Sequence, residues 1–287
     1  MRRYLSLVTF SHTIFALPFA ALGFTLAVVQ PEYPFEWADL GLVLVCMVTA
    51  RSAAMGFNRL VDAPIDARNP RTASRDIPAG RISRRRAAGF VAVNVAAFVA
   101  AAGLLNTLCL LLSPVALAVI LGYSYTKRFT WLCHLVLGVG LGLAPLGAYL
   151  AVTGSFAPLP ALFGVVVLLW VGGFDVVYAL QDEGFDRGQG LRSIPTRFGA
   201  ERALRVSRGL HLACVLALGL ATYAMIAWLG ATAWITVLAF GLFAAALAYQ
   251  QSIVSAGDLS RVDRAFFTTN GVASLMYAAL VVPGLAL

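Results

Sequence analysis

Seven of the thirteen acidic residues in this 287-residue chain fall into two short segments, Asp62/Asp66/Asp76 and Asp175/Asp182/Glu183/Asp186. The first reads NRLVDAPID from Asn58 to Asp66. Offsets of zero, four and eight put the Asn58, Asp62 and Asp66 oxygens on one face of a helix. Pro64 removes a backbone donor and predicts a kink at this helix end, with Asp66 displaced from its ideal position. The second segment reads DVVYALQDEGFD from Asp175 to Asp186. Steps of three and four residues place Asp175, Tyr178, Asp182 and Asp186 on a common helix face. Asp182 and Asp186 repeat the spacing of Asp62 and Asp66 at an offset of 120 residues. The other six acids, Glu32, Glu36, Asp39, Glu201, Asp258 and Asp263, lie in or beside connections and read as solvated.

Two carboxylate clusters that face each other repel unless cations lie between them. Mg2+ suits such oxygens, and it binds through one or two carboxylates together with substrate phosphate. Each acidic pair is followed by an arginine-rich loop, and guanidinium forks match phosphate oxygens. The combination describes a site for a diphosphate ester whose lipid tail lies among apolar helices. Mg2+ on the departing diphosphate favours ionisation of an allylic C–O bond. A single acidic pair could equally be an ion-paired helix end held by Arg59, Arg68 or Arg187. Two pairs related by an internal offset make that explanation the weaker one.

The elements that must carry these residues are apolar. Charged residues make up 12% of the chain and hydrophobic residues 60%, with mean hydropathy +0.84. Soluble domains carry about a quarter charged residues, so a water-soluble enzyme is disfavoured. Apolar runs at about 12–30, 39–57, 87–105, 108–126, 131–152, 161–181, 206–228, 233–252 and 265–285 are each long enough to span a bilayer as a helix. The fold expected is therefore all-α, a polytopic membrane bundle of nine transmembrane helices.

All 21 basic residues fall on or around alternate connections: Arg2 and Arg3, nine arginines from Arg51 to Arg86 around the connection of spans 2 and 3, Lys127 and Arg128, six arginines from Arg187 to Arg208, and Arg261 with Arg264. The positive-inside rule then places the N-terminus in the cytoplasm and the C-terminus outside. Both acidic pairs fall at the cytoplasmic ends of spans 2 and 6. Topology accounts for most of the net charge of +8, so nucleic acid is not the expected partner. The first apolar run is too long for a signal peptide and is read as a retained span. Four scattered cysteines without a CxxC pair, and three separated histidines, argue against a disulfide scaffold and a zinc site.

A cation-coupled secondary transporter is the competing class, but transporter sites lie near the bilayer midplane on broken helices. Six of the seven clustered acids here are at helix ends or in loops. The single motif of CDP-alcohol phosphotransferases is not found.

The segments NRLVDAPIDARNPRTASRDIPAGRIS at 58–83, YSYTKRFTWLCHLVLG at 123–138 and DVVYALQDEGFDRGQGLRSIPTRFG at 175–199 resemble the UbiA-type intramembrane prenyltransferases. That family has nine helices, a central cavity and aspartate-rich motifs on helices 2 and 6. The wording is most similar to bacterial 4-hydroxybenzoate polyprenyltransferases, including a branch with HTIFALPFA in helix 1, here His12 to Ala20. Part of that branch is associated with 1,4-dihydroxy-6-naphthoate in the futalosine route to menaquinone.

The resemblance implies one intramembrane prenyltransferase domain over 1–287, with pseudo-repeated motifs at 58–66 and 175–186 and cytoplasmic cap loops at about 58–86 and 182–205. It implies an enzyme of the bacterial inner membrane, open to the cytoplasm, that transfers a polyprenyl group from a polyprenyl diphosphate to an aromatic quinone precursor. The acceptor implied first is 4-hydroxybenzoate, of a ubiquinone-type pathway, with dihydroxynaphthoate as the alternative. By the same resemblance Asn58, Asp62 and Asp66 hold one Mg2+, and Asp182 and Asp186 another. Arg68, Arg71, Arg75, Lys127 and Arg128 contact the diphosphate or close the lid. Asp175 lies about 10 Å deeper than Asp182, too far to share its metal. It is assigned to the acceptor, as base or orienting group, with Tyr178 beside it. Phe57, Tyr123 and Phe174 lie at a depth suited to cation–π contact with an allylic cation. Many members carry Asp after the motif Asn. This chain has Arg59 there, which makes the first cluster less negative by two units.

Overall fold

The computed structural model describes residues 17–286. His12 and the Arg2–Arg3 pair, with the termini, lie outside the described residues. Within them the chain is helical, and the only β feature is an isolated bridge between Ser255 and Asp258. Backbone polar groups in an apolar surrounding must be satisfied within the segment, so these long apolar runs fold as helices.

Eight helices among the described residues are long and apolar enough to cross a membrane. A shorter apolar helix, α1 (Leu17–Val28), begins where the described residues begin. Then come α2 (Trp37–Asp66), α3 (Arg84–Leu105), α4 (Thr107–Thr126), α5 (Cys133–Thr153) and α6 (Pro158–Ala179). A 3-10 turn (Leu180–Asp182) leads into the short helices α7 (Glu183–Gly188) and α8 (Ile194–Phe198). The chain ends with α9 (Ala200–Leu229), α10 (Ala233–Ser252), a π-helical turn (Arg264–Thr269) and α11 (Asn270–Ala286).

These elements group into two compact units. The first covers residues 36–125 and contains α2, α3 and α4. Gly56 on α2 lets α3 approach, since a Cβ there would lie 3.0 Å from Val91 Cγ2. Ser83 starts α3 by accepting from the Arg86 N–H at 3.3 Å, and Asn106 starts α4 by accepting from the Cys109 N–H at 2.9 Å. A small core of Ala63, Ile77, Ile82 and Ala87 folds the loop after α2 back against the acidic end of that helix. Burial of these side chains holds the loop in the position from which Arg75 reaches Asp66.

Pro64 does not end α2, which runs through it to Asp66. The proline stands near the last turn, where the chain needs few further helical bonds, and the Ala67 N–H still reaches the Ala63 carbonyl at 3.1 Å. Asn58, Asp62 and Asp66 therefore share one helix.

The second unit covers described residues 17–35 and 126–286. Its core is aromatic, with Phe19, Phe163, Trp170, Phe243 and Tyr277 buried together. Helices α5 and α6 touch backbone to backbone. A Cβ on Gly138 would lie 2.5 Å from the Leu168 carbonyl oxygen, and one on Gly142 would lie 2.5 Å from that of Gly164. Small residues four apart are the usual means by which membrane helices approach this closely. The π turn frees the Ala265 carbonyl from regular helix bonding, and the Gln250 amide donates to it at 3.0 Å. A second core of Val176, Val177, Leu180, Ile194, Leu204 and Val262 anchors the segment around α8 to the end of α6.

The structure corrects one expectation here. Asp175, Tyr178, Asp182 and Asp186 do not lie on a single α-helix, because α6 stops at Ala179 and the 3-10 turn intervenes. At three residues per turn, such a segment rotates the next residues by roughly 60° relative to a continuous α-helix. Leu180 is buried in the second core, and Asp182 and Gly184 are both weak helix-interior residues, so the tighter turn forms there.

Candidate active site

The first acidic turn sits at the end of α2. Asp62 and Asp66 are 3% and 4% exposed, which is rare for carboxylates without a positive or hydrogen-bonded partner. The Asn58 amide donates to Asp62 Oδ2 at 3.0 Å. That fixes the amide orientation and leaves its carbonyl oxygen as the atom to face a cation. The Arg75 guanidinium lies 2.6 Å from Asp66 Oδ1. Asp66 Oδ2 is buried with no hydrogen-bond partner.

Of the other loop residues, Arg68 is exposed and donates from Nε to the Pro64 carbonyl at 3.1 Å. Arg71 is exposed, and its backbone N–H is held by Asn69 Oδ1 at 3.0 Å. Asp76 is buried and paired with Arg81 at 2.7 Å, a loop-internal role. Arg51, grouped by sequence with the connection between spans 2 and 3, instead stands in the middle of α2. Its Nε is shut off from solvent and has no hydrogen-bond partner. It lies about 16 Å along the helix from Asp62. The signal available in sequence was an arginine inside an apolar run, masked by the arginines beyond it.

In the second unit, Asp182 occupies the N-cap position of α7 and Asp186 lies within it, and both are half-buried. The Asp186 carbonyl accepts from the Leu191 N–H at 2.9 Å, which closes the turn containing Gly190 in the left-handed region, φ 68°. Lys127 is half-buried and Arg128 exposed. The Lys127 carbonyl accepts from the Arg192 N–H at 2.7 Å, and Arg192 Nη1 donates to the Phe129 carbonyl at 2.8 Å. Arg192, given no role of its own by the sequence, thus ties the basic turn after α4 to the segment beyond the second acidic pair.

Asp175 faces α5. Its Oδ2 lies 2.6 Å from His134 Nδ1, and the Ile194 backbone N–H donates to His134 Nε2 at 3.3 Å. A nitrogen that accepts cannot carry a proton, so Nδ1 bears it and donates to the Asp175 carboxylate. His134 is 3% exposed, and the Asp175 side chain keeps 22% exposure. Tyr178 turns its ring onto Phe266, with centroids 4.1 Å apart, and onto Phe267 at 5.9 Å. Phe174 packs between Trp170 and Phe266, while Phe57 meets Tyr125 edge to face at 5.9 Å.

The UbiA prenyltransferase family model matches residues 16–272. The chain belongs to the UbiA prenyltransferase family. It is 30% identical over 245 residues to a 4-hydroxybenzoate octaprenyltransferase of Aliivibrio fischeri, covering 85% of this chain and 84% of that one. It is 34% identical over 236 residues to the protein of that name from Alkalilimnicola ehrlichii, covering 80% and 77%. Among solved structures, the apo form of a UbiA homologue from Aeropyrum pernix K1 superposes with TM-score 0.84 at 37% identity, over 95% of this chain and 97% of that one. A UbiA homologue from Archaeoglobus fulgidus bound to GPP and Mg2+ has TM-score 0.76 over 99% and 100% of the two chains. At 20% identity that likeness is one of fold.

This UbiA-family enzyme is therefore a membrane prenyltransferase. Among its described residues no three His, Cys, Asp or Glu side chains converge as a ready-made metal cage. The donors at the end of α2 nevertheless fit Mg2+. They are hard oxygens, Asp66 Oδ2 is buried and unpaired, and Asp66 Oδ1 already holds one cation, Arg75. Mg2+ completes its shell with water and phosphate, so a full protein cage is not needed.

Proposed function

We propose that this chain carries out Mg2+-dependent transfer of a polyprenyl group from a polyprenyl diphosphate to 4-hydroxybenzoate. The allylic C–O bond breaks, diphosphate leaves, a C–C bond forms to the ring carbon beside the hydroxyl, and that carbon loses its proton. The alternative acceptor is 1,4-dihydroxy-6-naphthoate, in menaquinone biosynthesis. The observation that carries the reading is the buried, half-paired carboxylate of Asp66 beside the Asn58–Asp62 pair.

Asn58, Asp62 and Asp66 would hold one Mg2+, and Asp182 and Asp186 a second. When bound, Mg2+ neutralises the departing diphosphate. Arg68, Arg71, Lys127 and Arg128 would fork onto diphosphate oxygens. Arg75 would hold Asp66 until metal and substrate arrive. Asp175 would orient the acceptor hydroxyl or take its proton, with Tyr178 bounding the pocket through its stack on Phe266. Arg51 supports an acceptor that carries a carboxylate: a guanidinium inside an apolar helix needs an anion, and both candidate acceptors supply one. The names of the bacterial relatives favour 4-hydroxybenzoate.

We also place the protein in the bacterial inner membrane with nine spans, α1 belonging to the first. The alternation of basic connections supports an N-terminus and an active site on the cytoplasmic side and a C-terminus outside.

The test is a membrane assay. A labelled polyprenyl diphosphate is offered with Mg2+ and, in turn, 4-hydroxybenzoate, 1,4-dihydroxy-6-naphthoate and homogentisate, and the product is weighed. Prenylated 4-hydroxybenzoate is the expected product. Transfer to the naphthoate alone would establish the alternative, and no transfer to any acceptor would reopen a transport function.

A further inference from the structure

We propose that His134 is the positioning residue of the acceptor site, holding the Asp175 carboxylate aimed while tying it to the backbone at the start of α8. This rests on the proposed service of Asp175 to the acceptor. His134 comes from the first turn of α5, 41 residues from Asp175 and 60 from Ile194. Both of its ring nitrogens are engaged, Nδ1 on the carboxylate and Nε2 on the Ile194 N–H.

The arrangement is built into the packing. Gly172, three residues before Asp175, faces the first turn of α5, and a Cβ there would lie 2.9 Å from Leu135 Cδ2 and 3.8 Å from the His134 carbonyl oxygen. Only such close backbones let an imidazole on one helix reach a carboxylate on the next. On the far side, Ile194 is buried in the second core, and a capping box between Ser193 and Thr196 fixes the start of α8. The imidazole is thus clamped between a rigid helix and a rigid cap.

A helix-to-helix hydrogen bond made only for stability would bury both partners. Here the histidine is buried and the carboxylate stays 22% exposed, with Oδ2 taken and the other oxygen left for a ligand. A donor fixed on one oxygen restricts the rotation of the carboxylate and sets the direction of the other oxygen. The same relation, a histidine N–H fixed by a carboxylate on one side and set by the bond on the other, orients groups in metal and hydrolase sites. The link also connects Asp175 to the segment beyond Asp182 and Asp186. Order at the second acidic pair would therefore be transmitted to the acceptor side through one side chain.

The experiment uses the full-length enzyme in nanodiscs, with variants H134Q, H134N, D175N and the doubles of each histidine variant with D175N. The asparagine amide nitrogen falls near the position of Nδ1 and keeps a donor for Asp175. The glutamine amide falls near Nε2 and loses it. H134Q should lower kcat roughly 10- to 100-fold, with KM for the prenyl diphosphate within about twofold of the parent. H134N should stay within about threefold of the parent. In the D175N background neither histidine change should cost anything further, because the histidine acts only through the carboxylate. Equal losses in H134N and H134Q, full activity in H134Q, or multiplicative losses in the doubles would overturn the proposal. Should H134Q fail to fold, H134N alone and with D175N decides it: H134N near parent supports it, and a loss as large as that of D175N overturns it. Full turnover by D175N would instead remove Asp175 from the acceptor site, a different failure from that of His134.

Discussion

The Arg75 guanidinium sits 2.6 Å from one oxygen of Asp66, and the other oxygen of that carboxylate is buried without a partner. A carboxylate 4% exposed and half satisfied costs stability unless something else neutralises it. Arg75 thus occupies the position of a cation at a site whose donor atoms suit Mg2+, and that relationship can be probed without any measurement of turnover.

In Arg75→Gln the Asp66 carboxylate loses its cation. The variant should melt roughly 2–8 °C below the parent in EDTA and recover most of the difference in millimolar Mg2+. The parent should gain less from Mg2+. Differential scanning fluorimetry in detergent reads this directly, and equal Mg2+ gains in both proteins would argue that Asp66 is not a metal ligand.

Asp62→Asn and Asp182→Asn should each lower prenyl transfer by roughly 100-fold or more while leaving size-exclusion behaviour unchanged. Asparagine keeps the shape and a hydrogen-bonding oxygen but removes the charge. Full turnover by either variant would sink the metal assignment for that motif.

Arg51→Leu should raise the KM for 4-hydroxybenzoate roughly 10- to 100-fold and leave the KM for the prenyl diphosphate within about twofold, since a lost charge-assisted pair is worth about 1.5–3 kcal/mol. The parent should discriminate against 4-hydroxybenzamide, and the variant should not. Unchanged discrimination would place the acceptor carboxylate elsewhere.

Gly142→Ala and Gly138→Ala put a methyl group 2.5 Å from a carbonyl oxygen of α6. Backbone must move, so each should destabilise by about 1–3 kcal/mol. Because α5 carries His134, kcat should fall more than the KM for prenyl diphosphate. Thermal melting and steady-state kinetics on the same samples check both halves. A normal melting temperature would mean that the two helices are not held at this distance.

Much was legible from local pattern. Runs of about twenty apolar residues require helices in lipid, and charge depletion makes every remaining acid visible. Thus the positions of eight long apolar helices among the described residues and the Asn58–Asp62–Asp66 spacing could be read directly, and the helix carries that spacing intact through Pro64. Periodicity was less reliable where tertiary burial intervened. Leu180, drawn into the second core, tightens the chain into a 3-10 turn and takes Asp182 and Asp186 off the face of Asp175.

Other features have no local signature. His134 gives no sign of its role in the sequence, because its partners lie 41 and 60 residues away and meet it only where Gly138, Gly142 and Gly172 allow α5 and α6 to touch. Arg51 lies inside the apolar run 39–57, but beside eight further arginines it reads as one more topological charge, and only the buried Nε in the structure sets it apart. Composition and spacing are properties of a segment, so one chain suffices to determine the membrane class, the long apolar helices and the acidic motifs. Which carboxylate oxygen is paired, and by what, depends on how closely distant helices pack, and that distance is set by side chains scattered along the whole chain.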